Sequence, residues 1–257
     1  LSPYTKVGSM NRNQPPPVMV LGCGRSGTSI FGEMFESLPM YHYSSEPSFT
    51  DVLGADFSSP LAFKVPREVA AFEAAPGLSF PLTEMQRCEP RMKYFWVVRH
   101  PLDAICSLRV GISQEWGHHP KPPDWEVWLR RPLIQQCAHH WAFLNTFGFE
   151  QVSAFATIIK FENMISEPNA VAKSVCKVLA LNFHTLETSL SQWADRVQDT
   201  NNDEFVEAET SRAYSRLDHS VRVGRWRENL SLEEIESVLP IVSDPGVNFG
   251  YSCDDAC

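Results

Sequence analysis

The chain has 257 residues, of which 43% are hydrophobic and 11% aromatic, so it can bury a core of the size expected for one α/β domain. The formal net charge of −9 argues against broad binding to nucleic acid or to anionic membrane, since both require a positive surface field. The 7 cysteines are scattered and include no Cys-x-x-Cys pair, which indicates reduced thiols rather than a zinc site or a disulfide framework.

No apolar run reaches the roughly 20 residues that a membrane helix needs. Residues 1–17 are polar and contain prolines, without the hydrophobic stretch of a signal peptide. We therefore expect a soluble or cytoplasmic protein with a single domain over residues 1–257 and a flexible segment at 1–16. A signal or anchor removed from upstream of the chain stays open as an alternative.

The first predicted element is a strand at residues 18–21, a short and continuously apolar run that is typical of a buried parallel strand. It ends in glycines, and residues 30–38 follow with apolar side chains at helical spacing. The same strand pattern recurs at 94–98 and 155–159, with a shorter apolar piece at 61–65.

Further helical patterns lie between and after these strands, at residues 102–110, 125–147, 169–181 and 232–239. Strands that alternate with helices indicate a three-layer α/β/α fold around a central parallel sheet with right-handed crossovers. The polar stretch 195–218 is predicted to be an excursion or lid.

The loop after the first strand has the spacing G-x-x-x-x-G-x-[ST] from Gly22 to Ser29, with Thr28 where nucleoside-triphosphate loops carry a lysine. Backbone N–H groups and the positive end of the helix dipole are still present, so this loop is predicted to bind a phosphate. Without the lysine, and with a cation earlier in the loop at Arg25, a triphosphate is a poor ligand. A glycine turn without a ligand is the alternative.

Residues 25–29 resemble the 5′-phosphosulfate loop of the sulfotransferase superfamily, in particular its carbohydrate 6-O-sulfotransferase-like and bacterial branches. Residues 96–107 resemble the 3′-phosphate motif of that family, in which an arginine at a strand end and a serine on the next helix hold the 3′-phosphate. Weaker similarities follow at 45–47, 160–168 and 222–227. The resemblance implies a P-loop-containing α/β fold and transfer of a sulfuryl group from PAPS (3′-phosphoadenosine 5′-phosphosulfate) to an acceptor hydroxyl, with PAP released and no metal required.

The resemblance also implies roles for individual residues. Arg25 is expected to stabilise the bridging oxygen, Lys64 to bring a second cation to the sulfonate, and Glu46 to take the proton of the acceptor. The residues expected to bind the donor are, in chain order, Gly24, Arg25, Ser26, Gly27, Thr28, Ser29, Arg99, Ser107, Phe161, Arg222, Gly224 and Arg225.

Several of these residues have a plain structural alternative. Lys64 is equally consistent with a surface lysine at a strand end, and Glu46 is also consistent with an acidic residue at a helix N-terminus. Phe161 is expected either to stack on adenine or to pack in the core. His42 and His100 are rival proton acceptors, although His100 lies inside the 3′-phosphate motif and is expected to cap or pack there.

The expected acceptor is a saccharide or a related metabolite, with a small alcohol, a phenol or a lipid as the alternative. Four tryptophans between the cofactor motifs offer two candidates for a stacking surface, although core packing is the simpler role: Trp116, Trp125, Trp128 and Trp141. No nucleic-acid partner is expected. A catalytically silent nucleotide- or PAP-binding protein and a P-loop kinase are the alternatives from other functional classes.

No metal site is predicted. The histidine pairs 118–119 and 139–140 are adjacent in sequence, so their side chains point in different directions on a helix, and no carboxylate is spaced to share a metal with them.

Overall fold

The computed structural model describes residues 14–47, 51–52, 54–64, 85–86, 89–113, 116–118, 120–198 and 223–252. Its centre is a five-stranded parallel sheet with the strand order β2-β3-β1-β4-β5, which confirms the predicted α/β fold. The strands are β1 (Val18–Gly22), β2 (His42–Ser45), β3 (Leu61–Lys64), β4 (Lys93–Val98) and β5 (Ala156–Lys160).

The described helices cover both faces of this sheet. They are α1 (Thr28–Glu36), α2 (Pro101–Ser113), α3 (Trp125–Trp128), α4 (Leu133–Phe143), α5 (Phe161–Ser166), α6 (Pro168–Val178), α7 (Phe183–Gln198), α8 (Trp226–Asn229) and α9 (Leu232–Val247). A π-helical turn, Leu144–Gly148, extends α4. Within the described part of the chain, no helix is both long and apolar enough to cross a membrane.

Strand β1 is continuously apolar because both of its faces are covered. Met19 and Leu21 pack into the core on one face of the sheet, which includes side chains of α2, α4 and α9. Val18 and Val20 pack into the core on the other face, with side chains of α1, α6 and α7. Since successive side chains of a strand point to opposite faces, every residue of this strand must be apolar.

Two predicted helices have different bounds. The pattern at 125–147 is broken at Pro132, which has an extended backbone (ψ 142) and caps the N-terminus of α4, so the single predicted helix is wrong. Helix α9 passes through Pro240 and ends at Val247, beyond the expected end at 239. Its buried side continues along the helix to Gly246, so burial of that side outweighs the cost of Pro240 and of Pro245, which also lies inside the helix.

Four described elements were not predicted: the edge strand β2 and the helices α5, α7 and α8. The sequence of β2 is His-Tyr-Ser-Ser and its side chains are half-buried or exposed, so it lacks the apolar pattern of the other strands. Residues 195–198 belong to α7, which corrects the start of the predicted excursion; residues 199–218 lie outside the described part of the chain.

The strand order places a topological switch point beside β1. The chain goes from β1 through α1 to β2 and β3 on one side of the sheet, and then to β4 and β5 on the other side. Loops that leave the carboxyl ends of neighbouring strands on either side of such a point diverge, and the crevice between them is where open α/β sheets bind ligands. The loop at residues 23–27 and the ends of β3 and β4 meet there.

Candidate functional site

The glycine-rich loop joins β1 directly to α1. Its last residue, Gly27, caps the helix with a left-handed backbone (φ 93) and no side-chain cap. A Cβ on Gly27 would lie 2.5 Å from Cδ2 of Phe161, so only glycine fits this position. The loop therefore packs against α5, and helix N-termini of this kind have backbone N–H groups that suit an anion.

Within the loop, the side chains of Ser26 and Thr28 are buried, whereas Ser29 is exposed. The Ser26 hydroxyl lies beside the thiol of Cys23, and burial raises the pKa of that thiol. We therefore expect any contribution of Ser26 to donor binding to come from its backbone. Cys23 is a free thiol whose burial disfavours the reactive thiolate.

Arg99, the first residue after β4, lies beneath the loop. It is 5% exposed, and its Nη1 donates a hydrogen bond to the carbonyl oxygen of Arg25 at 3.3 Å. Burial lowers the pKa of Arg99 to about 10, Asp103 opposes this shift, and the neighbouring charge of Arg225 adds to it. The site thus holds two guanidinium groups close enough to repel each other.

Phe161 lies in the core. It is 3% exposed, it backs Gly27, and the guanidinium carbon of Arg99 lies 4.2 Å from the centre of its ring. The core-packing alternative for Phe161 is therefore confirmed, whereas stacking on adenine stays a prediction. Its cation–π contact with Arg99 helps to orient that guanidinium.

The segment before α8 folds back onto α2. The carboxylate of Asp103 accepts hydrogen bonds from the backbone N–H groups of Gly224 (2.7 Å) and Trp226 (3.0 Å). Arg225 then reaches Ser107 on the next turn of α2, where its Nη1 donates to Oγ at 3.0 Å. Two separately predicted motifs therefore meet, one with Gly224 and Arg225 and the other with Ser107. Arg222 lies outside the described residues.

Lys64, the last residue of β3, is buried, with 5% of its side chain exposed, so the surface alternative is wrong. Its Nζ donates to Ser29 Oγ at 2.9 Å and pairs with Glu46 Oε1 at 3.0 Å. The backbone N–H of Glu46 donates to the Lys64 carbonyl at 2.7 Å. The two residues predicted to serve the acceptor side thus form one unit with the first turn of α1.

Glu33 lies one turn after Ser29 on α1 and was not predicted as a site residue. Burial raises its pKa to about 7, helped by the nearby charge of Glu36, while Arg196 and Lys64 act in the opposite direction. A carboxyl group that titrates near neutral pH therefore lies within the electrostatic range of Lys64.

His100 has the packing role that was expected of it. Its ring is stacked parallel to Trp226 at a centroid distance of 6.0 Å, and its edge meets Tyr251. Its backbone N–H donates to Glu162, and the hydroxyl of Tyr251 donates to the other oxygen of that carboxylate. Burial lowers the pKa of His100. His42 begins β2 and so lies at the amino ends of the parallel strands, whereas the loop leaves the carboxyl end of β1; neither rival histidine is therefore placed as a proton acceptor.

His118 is a residue at the loop that the sequence reading missed. A Cβ on Gly24 would lie 3.4 Å from Nδ1 and 3.8 Å from Cε1 of His118, so the imidazole edge faces the loop. Trp116 and Trp141 are buried, which confirms core packing for these two, whereas Trp125 and Trp128 are half-buried.

Positive φ angles mark the same region. Among the described non-glycine residues they occur at Arg25 (φ 67), Glu46 (φ 52), Trp116 (φ 59) and Ala180 (φ 54). Such backbone costs about 1–3 kcal/mol and persists only where the surrounding structure enforces it. Two of these residues belong to the predicted site, and Trp116 lies two positions before His118.

Comparison with known proteins supports the same fold. No family model and no curated protein sequence matches the chain. Its structure is similar to that of the mouse sulfotransferase SULT7A1 complexed with PAP, with a TM-score of 0.59 at 13% identity over 91% of this chain and 84% of that one.

Two further solved structures are similar at comparable levels. The sulfotransferase domain from the curacin biosynthetic pathway gives a TM-score of 0.54 at 15% identity, covering 89% of this chain and 98% of that one. The structure of retinol dehydratase in complex with androsterone and PAP gives a TM-score of 0.52 at 12% identity, covering 94% of this chain and 84% of that one. The chain therefore has the P-loop-containing α/β fold of sulfotransferases.

Proposed function

We propose that this protein is a PAPS-dependent sulfotransferase that transfers a sulfuryl group to an acceptor hydroxyl. The observation that carries the proposal is the hydrogen bond from Arg225 to Ser107, beside the buried guanidinium of Arg99. Two cations held this close cost free energy unless an anion lies between them. A second anion position, the N-terminus of α1, lies at the end of the neighbouring strand.

These residues suit a nucleotide with phosphates at both the 3′ and the 5′ positions. Arg225 and Arg99 would hold the 3′-phosphate with Ser107, and Nε of Arg225 is buried without a hydrogen-bond partner among the described residues. The backbone of residues 24–29 would hold the 5′-phosphate. PAP is bound in two of the similar structures, which adds to the proposal for this chain.

When bound, PAPS supplies an activated sulfuryl group with a stable phosphate as the leaving group. The acceptor oxygen forms a bond to sulfur while the bond from sulfur to the bridging oxygen breaks, and that electron pair stays on the phosphate of PAP. Arg25 stabilises this oxygen and Lys64 the sulfonate, because both cations can be fixed in place before charge develops. Glu46, held by Lys64, takes the proton of the acceptor.

For the acceptor we propose a saccharide hydroxyl, on the resemblance of Glu46 to the glutamate of the carbohydrate-type branch. The test is a labelled-PAPS assay against saccharide, phenolic, steroid and other lipid acceptors, with calorimetric binding of PAP and ATP beside it. Transfer to a saccharide supports both parts of the proposal. Transfer to another class refutes only the acceptor, PAP binding without any transfer indicates a silent binder, and preference for ATP refutes the donor.

Two substitutions separate the proposed roles. Arg25→Ala should abolish transfer while PAP still binds, and Arg225→Gln should weaken PAP binding by about 10- to 100-fold, the range for a lost hydrogen bond to a charged group. Arg91→Ala is the matched control, since Arg91 pairs with Glu89 near the amino end of β4, away from the loop. Wild-type turnover in the Arg25 variant would contradict the assignment.

A further inference from the structure

We infer that His118 is a further catalytic residue, which donates a hydrogen bond from Nδ1 to the sulfonate of the donor. The inference rests on the proposed function and adds a contact on the side of the loop away from Lys64 and Glu46. His118 belongs to the connection between α2 and α4, which pack on one face of the sheet, whereas Lys64 meets the loop at α1 on the other.

The position of the ring is the first support. Nδ1 and Cε1 are the His118 atoms nearest to where a Cβ on Gly24 would lie, and Gly24 is the residue just before Arg25. Nε2 is buried inside the protein. The ring therefore presents its Nδ1 edge to the part of the loop that would hold the reactive end of the donor. Sulfonate oxygens only accept hydrogen bonds, so a side chain at this place has to donate one.

The segment that carries His118 is firmly anchored. Trp116 is fully buried and has a left-handed backbone, and its N–H donates to the Ile112 carbonyl at 3.0 Å. Its indole Nε1 donates to Nδ1 of the buried His140 at 3.2 Å. Since indole can only donate, a neutral His140 carries its proton on Nε2. The ring of His140 in turn lies behind that of His118, with 6.0 Å between centroids.

These contacts suggest preorganisation rather than packing alone. A buried tryptophan and a second histidine hold His118 against the loop before any ligand binds, at the expense of a strained backbone at Trp116. Groups fixed in this way stabilise a reacting anion without reorganising during the reaction. In the step itself His118 keeps its proton, while the proton of the acceptor goes to Glu46 as described above.

The test uses the full chain and compares the affinities of PAP and PAPS, which differ only in the sulfonate. In His118→Asn, the side-chain amide nitrogen takes the place of Nδ1, whereas in His118→Gln it takes the place of Nε2. We expect PAP to bind all variants equally within about twofold. PAPS should bind His118→Gln about tenfold more weakly than wild type, the loss of one hydrogen bond to a charged group, and His118→Asn nearly as well as wild type.

His139→Gln is the matched control. The ring of His139 also lies near Trp116, but its Nε2 forms a hydrogen bond with Asp124 at 2.7 Å and its ring stacks on Trp128, away from the loop. With an acceptor in hand, kcat of His118→Gln should fall while KM for the acceptor stays unchanged. Equal weakening of PAP and PAPS, equal losses in Asn and Gln, or no change in either would overturn the inference. A wild-type protein that binds no PAP would instead refute the proposed function.

Discussion

Substituting Gly27 with alanine tests how the loop and α5 fit together. The left-handed backbone at φ 93 costs an alanine about 1–2 kcal/mol. Its Cβ would also lie 2.5 Å from Phe161 Cδ2 and 3.2 Å from Met164 Cε, and overpacking of this kind costs about 1–3 kcal/mol. We therefore expect Gly27→Ala to lower the free energy of unfolding by about 2–5 kcal/mol, the sum of the two effects.

The assay is urea unfolding followed by tryptophan fluorescence and by circular dichroism. Gly24→Ala is the matched control in the same loop, because Gly24 has no left-handed φ and a Cβ there meets its nearest atom at 3.4 Å. Its stability should change by less than about 1 kcal/mol. Equal stabilities of the two variants would refute the inferred packing of Gly27 on Phe161.

Two further predictions follow from charged groups at the site. Asp103→Asn keeps one acceptor oxygen for two N–H donors, Gly224 and Trp226, so the segment carrying Arg225 should loosen; calorimetry should show PAP affinity lowered by about tenfold, with α2 still formed by circular dichroism. Glu33 has a raised pKa of about 7 in the folded state against 4.5, so the folded state binds the extra proton and stability falls as pH rises from about 4.5 to about 7. Glu33→Gln should remove this fall. The difference in unfolding free energy between Glu33→Gln and wild type, measured by urea unfolding, should increase by about 1–2 kcal/mol from pH 4.5 to pH 8, after allowance for the partial exposure of Glu33. If the stabilities of the two proteins change in parallel with pH, the assigned titration is wrong.

Local sequence patterns determined the order of the main elements. The apolar runs at β1 and β4 predicted these strands correctly, because a strand covered on both faces needs apolar residues at every position. The glycine-rich loop could be predicted because the local backbone requires its glycines, as the left-handed backbone of Gly27 shows. Strand β2 was missed since an edge strand has no such requirement.

Contacts between distant segments were decided only by the tertiary structure. Lys64 and Ser29 are 35 positions apart, and Arg225 and Ser107 are 118 apart, yet each pair shares a hydrogen bond. The motif spacing suggested which side chains serve the site, but not which of them touch. The position of His118 beside Gly24 has no sequence signal, because it depends on tertiary packing between residues that are distant in sequence.

The burial of Phe161 is a second feature that local sequence patterns left open and that the tertiary structure decided. Its place after a strand made an adenine-stacking role and a core role equally consistent with the sequence. Periodicity reports which face of an element is apolar, whereas the partner that covers this face is set by crossover connections and by packing between elements. Here Gly27 and Arg99 cover the ring, and only the folded chain brings them there.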